Sequence, residues 1–153
     1  MAGKSGKGKI VLASGVFDLL HLGHVKFLEE AKKAGGKNAR LIVVIARDST
    51  VEKMKGKKPI MLEDQRCQLV EALKVVDSAL LGHETLDIGE VICDIKPDLI
   101  ALGYDQEDIS KQVHDYLSSH GLHVKVVRIG RFGQNALDSS SKIKQKIIDK
   151  LST

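Results

Sequence analysis

The chain has 153 residues, of which 42% are hydrophobic and 29% are charged, a balance typical of a globular domain with its own core. The net charge is +4, but three of the positive charges, on Lys4, Lys7 and Lys9, lie in a stretch without acids. The remaining chain is therefore nearly neutral, which argues against a nucleic-acid partner. The sequence has neither an apolar run long enough for a membrane span nor a signal peptide, and its two cysteines exclude a disulfide framework. We therefore expect a cytoplasmic protein with a flexible basic leader at residues 1–8 and one domain at residues 9–153.

Strand-like and helix-like segments alternate along the chain. Short apolar runs predict strands at residues 9–14, 40–46, 78–81, 98–102 and 122–129. Apolar positions spaced three and four apart predict helices at residues 22–34, 62–75, 86–95, 109–120 and 142–151. This order predicts an α/β fold with a doubly wound, Rossmann-like sheet of five parallel strands and helices on both faces. Ligands of such sheets bind beyond the carboxyl ends of the strands, near the point where the strand order switches.

The turn after the first predicted strand carries the chemistry-bearing residues. His21 and His24 are three residues apart at the mouth of a helix, so both imidazoles can point the same way. A helix N-terminus also offers unpaired N–H groups and a partial positive charge, which together favour an anion. Gly15 and Gly23 would let a ligand approach the backbone. The pattern favours a phosphate site; chance surface histidines and a metal site are the alternatives, and the His-Glu-x-x-His pattern of zinc enzymes is absent.

This turn, read from Gly15 to His24, resembles the first signature of the cytidylyltransferase-like nucleotidyltransferases, the HxGH superfamily. Segments 48, 63–66, 73–77, 103–106 and 139–143 follow in the order of that family's later motifs. Within the superfamily the chain is most similar to archaeal FAD synthetases, through segments 46–48, 55–60, 71–77 and 102–106. The resemblance implies a homodimeric enzyme that transfers AMP from ATP to FMN, giving FAD and pyrophosphate. CTP-dependent transfer to glycerol 3-phosphate, and nucleotide binding without catalysis, are the alternatives.

Transfer to a phosphate acceptor requires few catalytic groups. The second pKa of a phosphomonoester is ~6, so the acceptor is already ionised at neutral pH and needs no general base. Catalysis then depends on positioning and on stabilising charge at the phosphoryl oxygens. This agrees with a sequence whose motifs contain no Ser-His-Asp arrangement.

The resemblance also implies roles for individual residues. His21 and His24 are the catalytic candidates, together with Lys57 or Lys58 as a phosphate clamp from a lysine-rich loop at residues 53–58; a solvated surface loop is the alternative. The nucleotide-binding candidates are Gly15, Val16, Phe17, Asp18, Gly23, Gly103, Asp105, Arg128, Ser139, Ser140 and Ser141. The acceptor-binding candidates are Asp48, Arg66 and Lys74. We expect Mg²⁺ to be held mainly by the triphosphate, so no protein ligand to a metal is predicted.

Overall fold

A computed structural model of the chain describes residues 7–84, 87–132 and 139–152. In these ranges five parallel strands form one sheet in the order β3-β2-β1-β4-β5. The strands are β1 (Ile10–Gly15), β2 (Arg40–Ile45), β3 (Ser78–Leu81), β4 (Leu99–Gly103) and β5 (Lys125–Ile129). The helices are α1 (Leu22–Ala34), α2 (Asp48–Lys55), α3 (Glu63–Glu71), α4 (Ile88–Ile95), α5 (Glu107–Ser119) and α6 (Ser140–Leu151). The predicted doubly wound parallel sheet is confirmed.

Helices cover both faces of the sheet, which explains why the strands are apolar on both sides. In β1, Val11 and Ala13 pack into the core beneath α1 and α3, whereas Leu12 packs into the core beneath α4 and α5. β4 is buried along its whole length. None of the helices within the described ranges is both long enough and apolar enough to cross a membrane.

The lysine-rich segment at residues 53–58 was predicted to be a loop, but its first three residues lie in a helix. Lys53 and Lys55 lie in α2, and the chain leaves that helix at Gly56, whose φ of 76° is left-handed. The sequence pattern missed α2 because this eight-residue helix buries only Thr50 and Val51, too few positions to establish a helical period. Lys57 and Lys58 do lie beyond the helix, so the actual loop is shorter than expected.

Other boundaries shift by a few residues. α3 ends at Glu71 instead of residue 75, and β5 begins at Lys125 instead of residue 122. α1 and β3 have the predicted bounds. Residues 1–6 of the expected leader lie outside the described residues.

The strand order switches between β1 and β4. The chain adds β2 and then β3 on one side of β1 and crosses over to add β4 and β5 on the other side. The Gln106 amide joins the two strand ends at this point: its Oε1 accepts from the N–H of Gly103 at 2.7 Å, and its Nε2 donates to the carbonyl of Ser14 at 3.0 Å. A crevice at this position is the expected ligand site of the fold.

Candidate active site

A cleft of about 480 Å³ runs across the carboxyl edge of the sheet. Each of the five strand ends contributes to its lining, through Gly15, Val44, Gly82, Gly103 and Ile129. The first turn of α1 and the N-terminus of α6 also face it. A separate cavity of about 580 Å³ lies between α5 and β5 and shares no lining residue with this cleft.

His21 and His24 form a stacked pair at the start of α1. His21 is the N-cap residue, and the two ring centroids are 3.7 Å apart with an interplanar angle of 23°. The backbone N–H of His21 donates to Nδ1 of His24 at 3.2 Å. Because Nδ1 accepts this hydrogen bond, the neutral His24 ring carries its proton on Nε2. Both rings line the cleft, so the pair can present an imidazole N–H to an anion.

The charge state of His24 follows from its surroundings. Burial lowers the pKa of His24 to about 3, and the neighbouring His21 acts in the same direction, while Asp18 opposes the shift. At neutral pH the ring is therefore an uncharged hydrogen-bond donor. The partial positive charge of the α1 N-terminus lies beside this ring.

The loop before the pair has an unusual backbone. Phe17 and Leu19 both adopt left-handed conformations, with φ of 54° and 51°, which side chains of this size rarely adopt. The Phe17 ring is buried against Gly15, where an added Cβ would lie 2.8 Å from the ring. Gly15 is therefore required by the packing of Phe17. Backbone strain of this kind is concentrated at functional sites.

Asp18 connects this loop to two other segments of the site. Its buried carboxylate accepts from the backbone N–H groups of Ile60 and Met61, at 2.7 and 2.9 Å. Its carbonyl accepts from the hydroxyl of Ser140. The first bonds hold the segment that carries Lys57 and Lys58, and the last holds the start of α6. One residue thus brings the lysines and the serines to the histidine pair.

A serine caps the N-terminus of α6. Ser139 is the N-cap residue, and its hydroxyl accepts from the backbone N–H of Lys142 at 3.2 Å. Ser139, Ser140 and Ser141 all line the cleft. The cleft therefore has a second helix N-terminus facing it, in addition to that of α1.

The predicted acceptor residues do not lie in the cleft lining. Arg66 is 0% exposed. Its guanidinium donates to the carbonyls of Met61, Val16 and Ala46 at 2.8–2.9 Å, and to the carboxylate of Asp48 at 2.7 Å. A side chain that is fully enclosed and bonded in this way cannot contact a substrate in this arrangement. It instead joins the loops that follow β1 and β2 to the segment before α3.

Asp48 and Lys74 also lie outside the cleft lining. The carboxylate of Asp48 pairs with Arg66, and its backbone N–H donates to Glu63 at 2.9 Å. Lys74 is exposed in the turn after α3. The sequence predicted Asp48 and Arg66 as acceptor-binding residues, but spacing alone does not reveal that they pair with each other inside the protein.

Of the three nucleotide-binding candidates near β4 and β5, two line the cleft and one does not. Gly103 and Asp105 line the cleft, and a Cβ on Gly103 would lie 3.2 Å from the Asp105 carboxylate. Arg128 does not line it, because its guanidinium pairs with Glu107 at 2.8 Å. Tyr104, which lies in a predicted motif but was not predicted as a site residue, lines the cleft with Arg131, whose guanidinium carbon is 5.7 Å from the Tyr104 ring centroid.

The sequence also missed an apolar part of the lining. It is formed by Val51 and Met54 of α2 and by Ile88 and Val91 of α4. Met54 is 50% exposed. In a sequence, apolar residues on short helices look like core positions, so no signal marked them as part of a site.

Metal-binding side chains do not cluster in the described part of the chain: it contains no group of three or more His, Cys, Asp or Glu that could hold an ion. The donors that converge on the cleft are imidazoles, lysines, hydroxyls and backbone N–H groups. These groups suit phosphate oxygens.

The fold and this site together define an α/β protein with a cleft at the switch point of a parallel sheet, lined by donors that suit phosphate groups. The comparison with protein families identifies it more closely. Residues 12–146 match the model of the cytidylyltransferase-like family, and the chain belongs to that family.

Curated relatives match nearly the whole chain. The FAD synthase of Aciduliprofundum boonei is 49% identical over 141 residues, which cover 92% of this chain and 91% of that protein. The FAD synthase of Methanothermobacter marburgensis is 50% identical over 139 residues, covering 91% and 85%. A crystal structure titled as a lipopolysaccharide core biosynthesis protein from Thermoplasma volcanium is 45% identical, with a TM-score of 0.74 over 82% of this chain and 99% of that one.

Proposed function

We propose that this protein is an FMN adenylyltransferase: it transfers AMP from ATP to the phosphate of FMN and produces FAD and pyrophosphate. The observation that carries this proposal is the stacked His21–His24 pair at a helix N-terminus in the switch-point cleft. Near-complete matches to curated FAD synthases at 49% and 50% identity support the choice of donor and acceptor.

The reaction is a displacement at phosphorus. A phosphate oxygen of FMN attacks the α-phosphorus of ATP and forms the new P–O bond, while the bond from the α-phosphorus to the bridging oxygen breaks and pyrophosphate leaves. The FMN phosphate is ionised at neutral pH and needs no base. The protein aligns the two reactants and stabilises the charge that builds on the phosphoryl oxygens.

In this proposal His24 donates Nε2–H to an oxygen of the α- or β-phosphate, with His21 beside it. Because the His24 ring is neutral and held by its bond to the His21 backbone, it is oriented before the substrate binds. Losing one such donor typically lowers a rate by about 10²–10³. Gly23, between the two rings in sequence, lines the same part of the cleft.

Lys57 and Lys58 clamp the phosphates from the opposite side. Asp18 holds the segment immediately after them through Ile60 and Met61. Ser139–Ser141 supply hydroxyl and N–H donors to the β- and γ-phosphates from the start of α6. Gly103 and Asp105 contact the nucleoside, with Asp105 accepting from a ribose hydroxyl, and the backbone of Val16 and Phe17 completes the phosphate side.

We propose that Asp48 and Arg66 serve the acceptor indirectly. Their network holds the loops after β1 and β2 in place, so they position the groups that bind substrates. Lys74 and Arg128 are left with at most an electrostatic contribution to the approach of anionic substrates, since neither lines the cleft.

Magnesium enters this proposal as part of the substrate. Mg²⁺ keeps several waters and is commonly bound through substrate phosphates with few protein ligands. The donors facing the cleft fit a MgATP complex whose metal is coordinated by triphosphate oxygens and water.

We propose that the protein works as a homodimer through α3. Leu62 at its start and Leu69, seven residues later, are 64% and 39% exposed. Two leucines at that spacing lie on one side of a helix. A reducing, cytoplasmic setting is part of the same proposal, supported by the free thiols of Cys67 and Cys93.

The direct test is incubation of the purified protein with FMN, ATP and Mg²⁺. FAD should accumulate in step with pyrophosphate, as measured by chromatography and a coupled phosphate assay. A parallel reaction with CTP and glycerol 3-phosphate is the control. Absence of FAD together with formation of CDP-glycerol would reject the proposal, and nucleotide binding without pyrophosphate release would indicate a non-catalytic domain.

A further inference from the structure

One part of the cleft contains none of the phosphate-binding groups. It lies over the ends of β2 and β3, where Val44 and Gly82 face the cleft, and it is bounded by α2 and α4. Its apolar side chains are Val51 and Met54 from α2 and Ile88 and Val91 from α4. We call these four residues the α2–α4 slot.

Its position relative to the phosphate groups is fixed by the sheet order. The histidine pair follows β1, in the middle of the sheet, and the candidate nucleoside contacts follow β4, on one side of it. The helices of the α2–α4 slot follow β2 and β3, which lie on the other side of β1. A group joined to the attacking phosphate can therefore occupy the slot while the nucleoside occupies the opposite side.

The chemistry of the slot selects the kind of group. Met54 lines this cleft and is half exposed, so it leaves apolar surface for a ligand to cover. A thioether is adaptable and makes favourable contacts with aromatic rings. The polar lining residues of the same segments are bonded within the protein, Arg47 to Gly82 and Glu63, His83 to Asp94, and Asp87 to the N–H of Gly89. The hydroxyl groups of a short polyol phosphate would therefore find few partners here. A flat aromatic ring system attached to a phosphate fits both features.

We infer that the α2–α4 slot binds the isoalloxazine ring of FMN and that Met54 and Ile88 determine acceptor specificity. This inference rests on the proposed function. The ring packs between α2 and α4, and the ribityl chain carries the phosphate towards His24. The slot rejects small polar acceptors because they would leave its apolar walls exposed.

Met54→Ser tests the slot without disturbing the phosphate groups. It should raise the KM for FMN and the Kd from FMN fluorescence titration about 10-fold, as expected when a ligand loses most of one apolar contact. The KM for ATP should change less than about twofold. Met54→Leu, which keeps an apolar side chain of similar volume, should retain the affinity of the wild type.

Riboflavin is the probe that isolates the ring, because it lacks the phosphate. It should inhibit competitively against FMN, and its inhibition constant should rise about 10-fold in Met54→Ser. Ile148→Ser is the matched control, since Ile148 is a 55% exposed apolar residue outside the cleft lining. That variant should behave like the wild type.

The outcomes separate this inference from the proposed function. If the wild type forms FAD but Met54→Ser binds FMN and riboflavin normally, the slot is overturned and the activity stands. If the wild type forms no FAD, the proposed function fails, and the slot assignment fails with it. Circular dichroism checks the folding of Met54→Ser, and should that variant unfold, Ile88→Asn is measured in its place with the same expected losses.

Discussion

At the scale of single residues, the site depends on a histidine that stays neutral. His24 is stacked on His21, close to the Phe17 ring at a centroid distance of 5.2 Å, and accepts a backbone hydrogen bond through Nδ1. These contacts fix both the orientation of the ring and the nitrogen that carries its proton. A donor fixed in this way needs no reorganisation when charge develops on the phosphate.

His24→Asn separates the catalytic contribution of this ring from its structural one. An asparagine at this position can still accept from the His21 backbone, as Nδ1 does, but it removes the ring donor. We expect turnover to fall by about 10²–10³, while the free energy of unfolding in urea changes by no more than about 2 kcal/mol. Near-normal turnover would remove His24 from the mechanism, and global unfolding would make it a core residue.

The same histidine predicts a pH dependence of stability. Its pKa is about 3 in the folded protein, below the ordinary value of 6.5, so the unfolded chain binds the extra proton between these values. The contribution of His24 to the free energy of unfolding is therefore fully present above pH 6.5 and is lost as the pH falls towards 3. From pH 7 to pH 5 the wild type should lose about 1–2 kcal/mol more than His24→Asn in urea titrations. Parallel losses in the two proteins would contradict the neutral, buried state.

At the scale of secondary-structure elements, the site is assembled by loop-to-loop hydrogen bonds. Asp18 joins the turn before α1 to the segment before α3 and to the start of α6. Arg66, on α3, joins the same turn to the loop after β2. The side chains of these two residues hold three loops at one edge of the sheet, and the backbone carbonyl of Asp18 adds the start of α6.

Asp18→Ala should loosen the lysine segment. It leaves the N–H groups of Ile60 and Met61 without their carboxylate partner, at a cost of about 1–3 kcal/mol of stability. We expect the KM for ATP to rise about 10-fold and trypsin to cleave faster after Lys55 and Lys57. Steady-state kinetics and timed proteolysis measure the two effects.

Asp64→Ala is the matched control for that experiment, since Asp64 is an exposed acid in the first turn of α3. It should leave both the kinetics and the cleavage rate unchanged. Equal effects in the two variants would show that Asp18 has no specific role in holding the segment.

These contacts also mark the limit of what the sequence could predict. The period of apolar residues was sufficient for α1 and for the five strands, and the spacing of His21 and His24 was sufficient for the histidine pair. The enclosure of Arg66 was not predictable, because an arginine that binds a ligand and one that bonds to three carbonyls look the same in a sequence. α2 was not predicted for a different reason: only two of its residues are buried in the core, and Met54 faces the cleft instead.

At the scale of the whole molecule, the proposed homodimer would form through the exposed leucines at α3. Leu62 and Leu69 lie along α3, on the side of the sheet that ends in β3. An interface there leaves the cleft open at the carboxyl edge of the strands. Assembly and catalysis would then use different surfaces.

Leu69→Glu should disrupt that assembly. A charge at the centre of an apolar contact is costly to bury, so we expect the dimer to dissociate with a Kd at least about 100-fold higher. Sedimentation velocity would follow the change from dimer to the 16.7 kDa monomer. Ile148→Glu, on α6, is the control that should remain dimeric. A wild type that sediments as a monomer would refute the interface.

The Gln106 amide that joins Ser14 and Gly103 has a consequence for how products leave. A crevice between the two halves of a sheet can widen if the halves part, or if the structures above it lift. Because one side chain ties β1 to β4 at the base of the crevice, parting of the two halves would break both of its hydrogen bonds. We therefore expect release of pyrophosphate and of the dinucleotide to depend on two other lining segments, the short stretch after Gly56 and the first turn of α6.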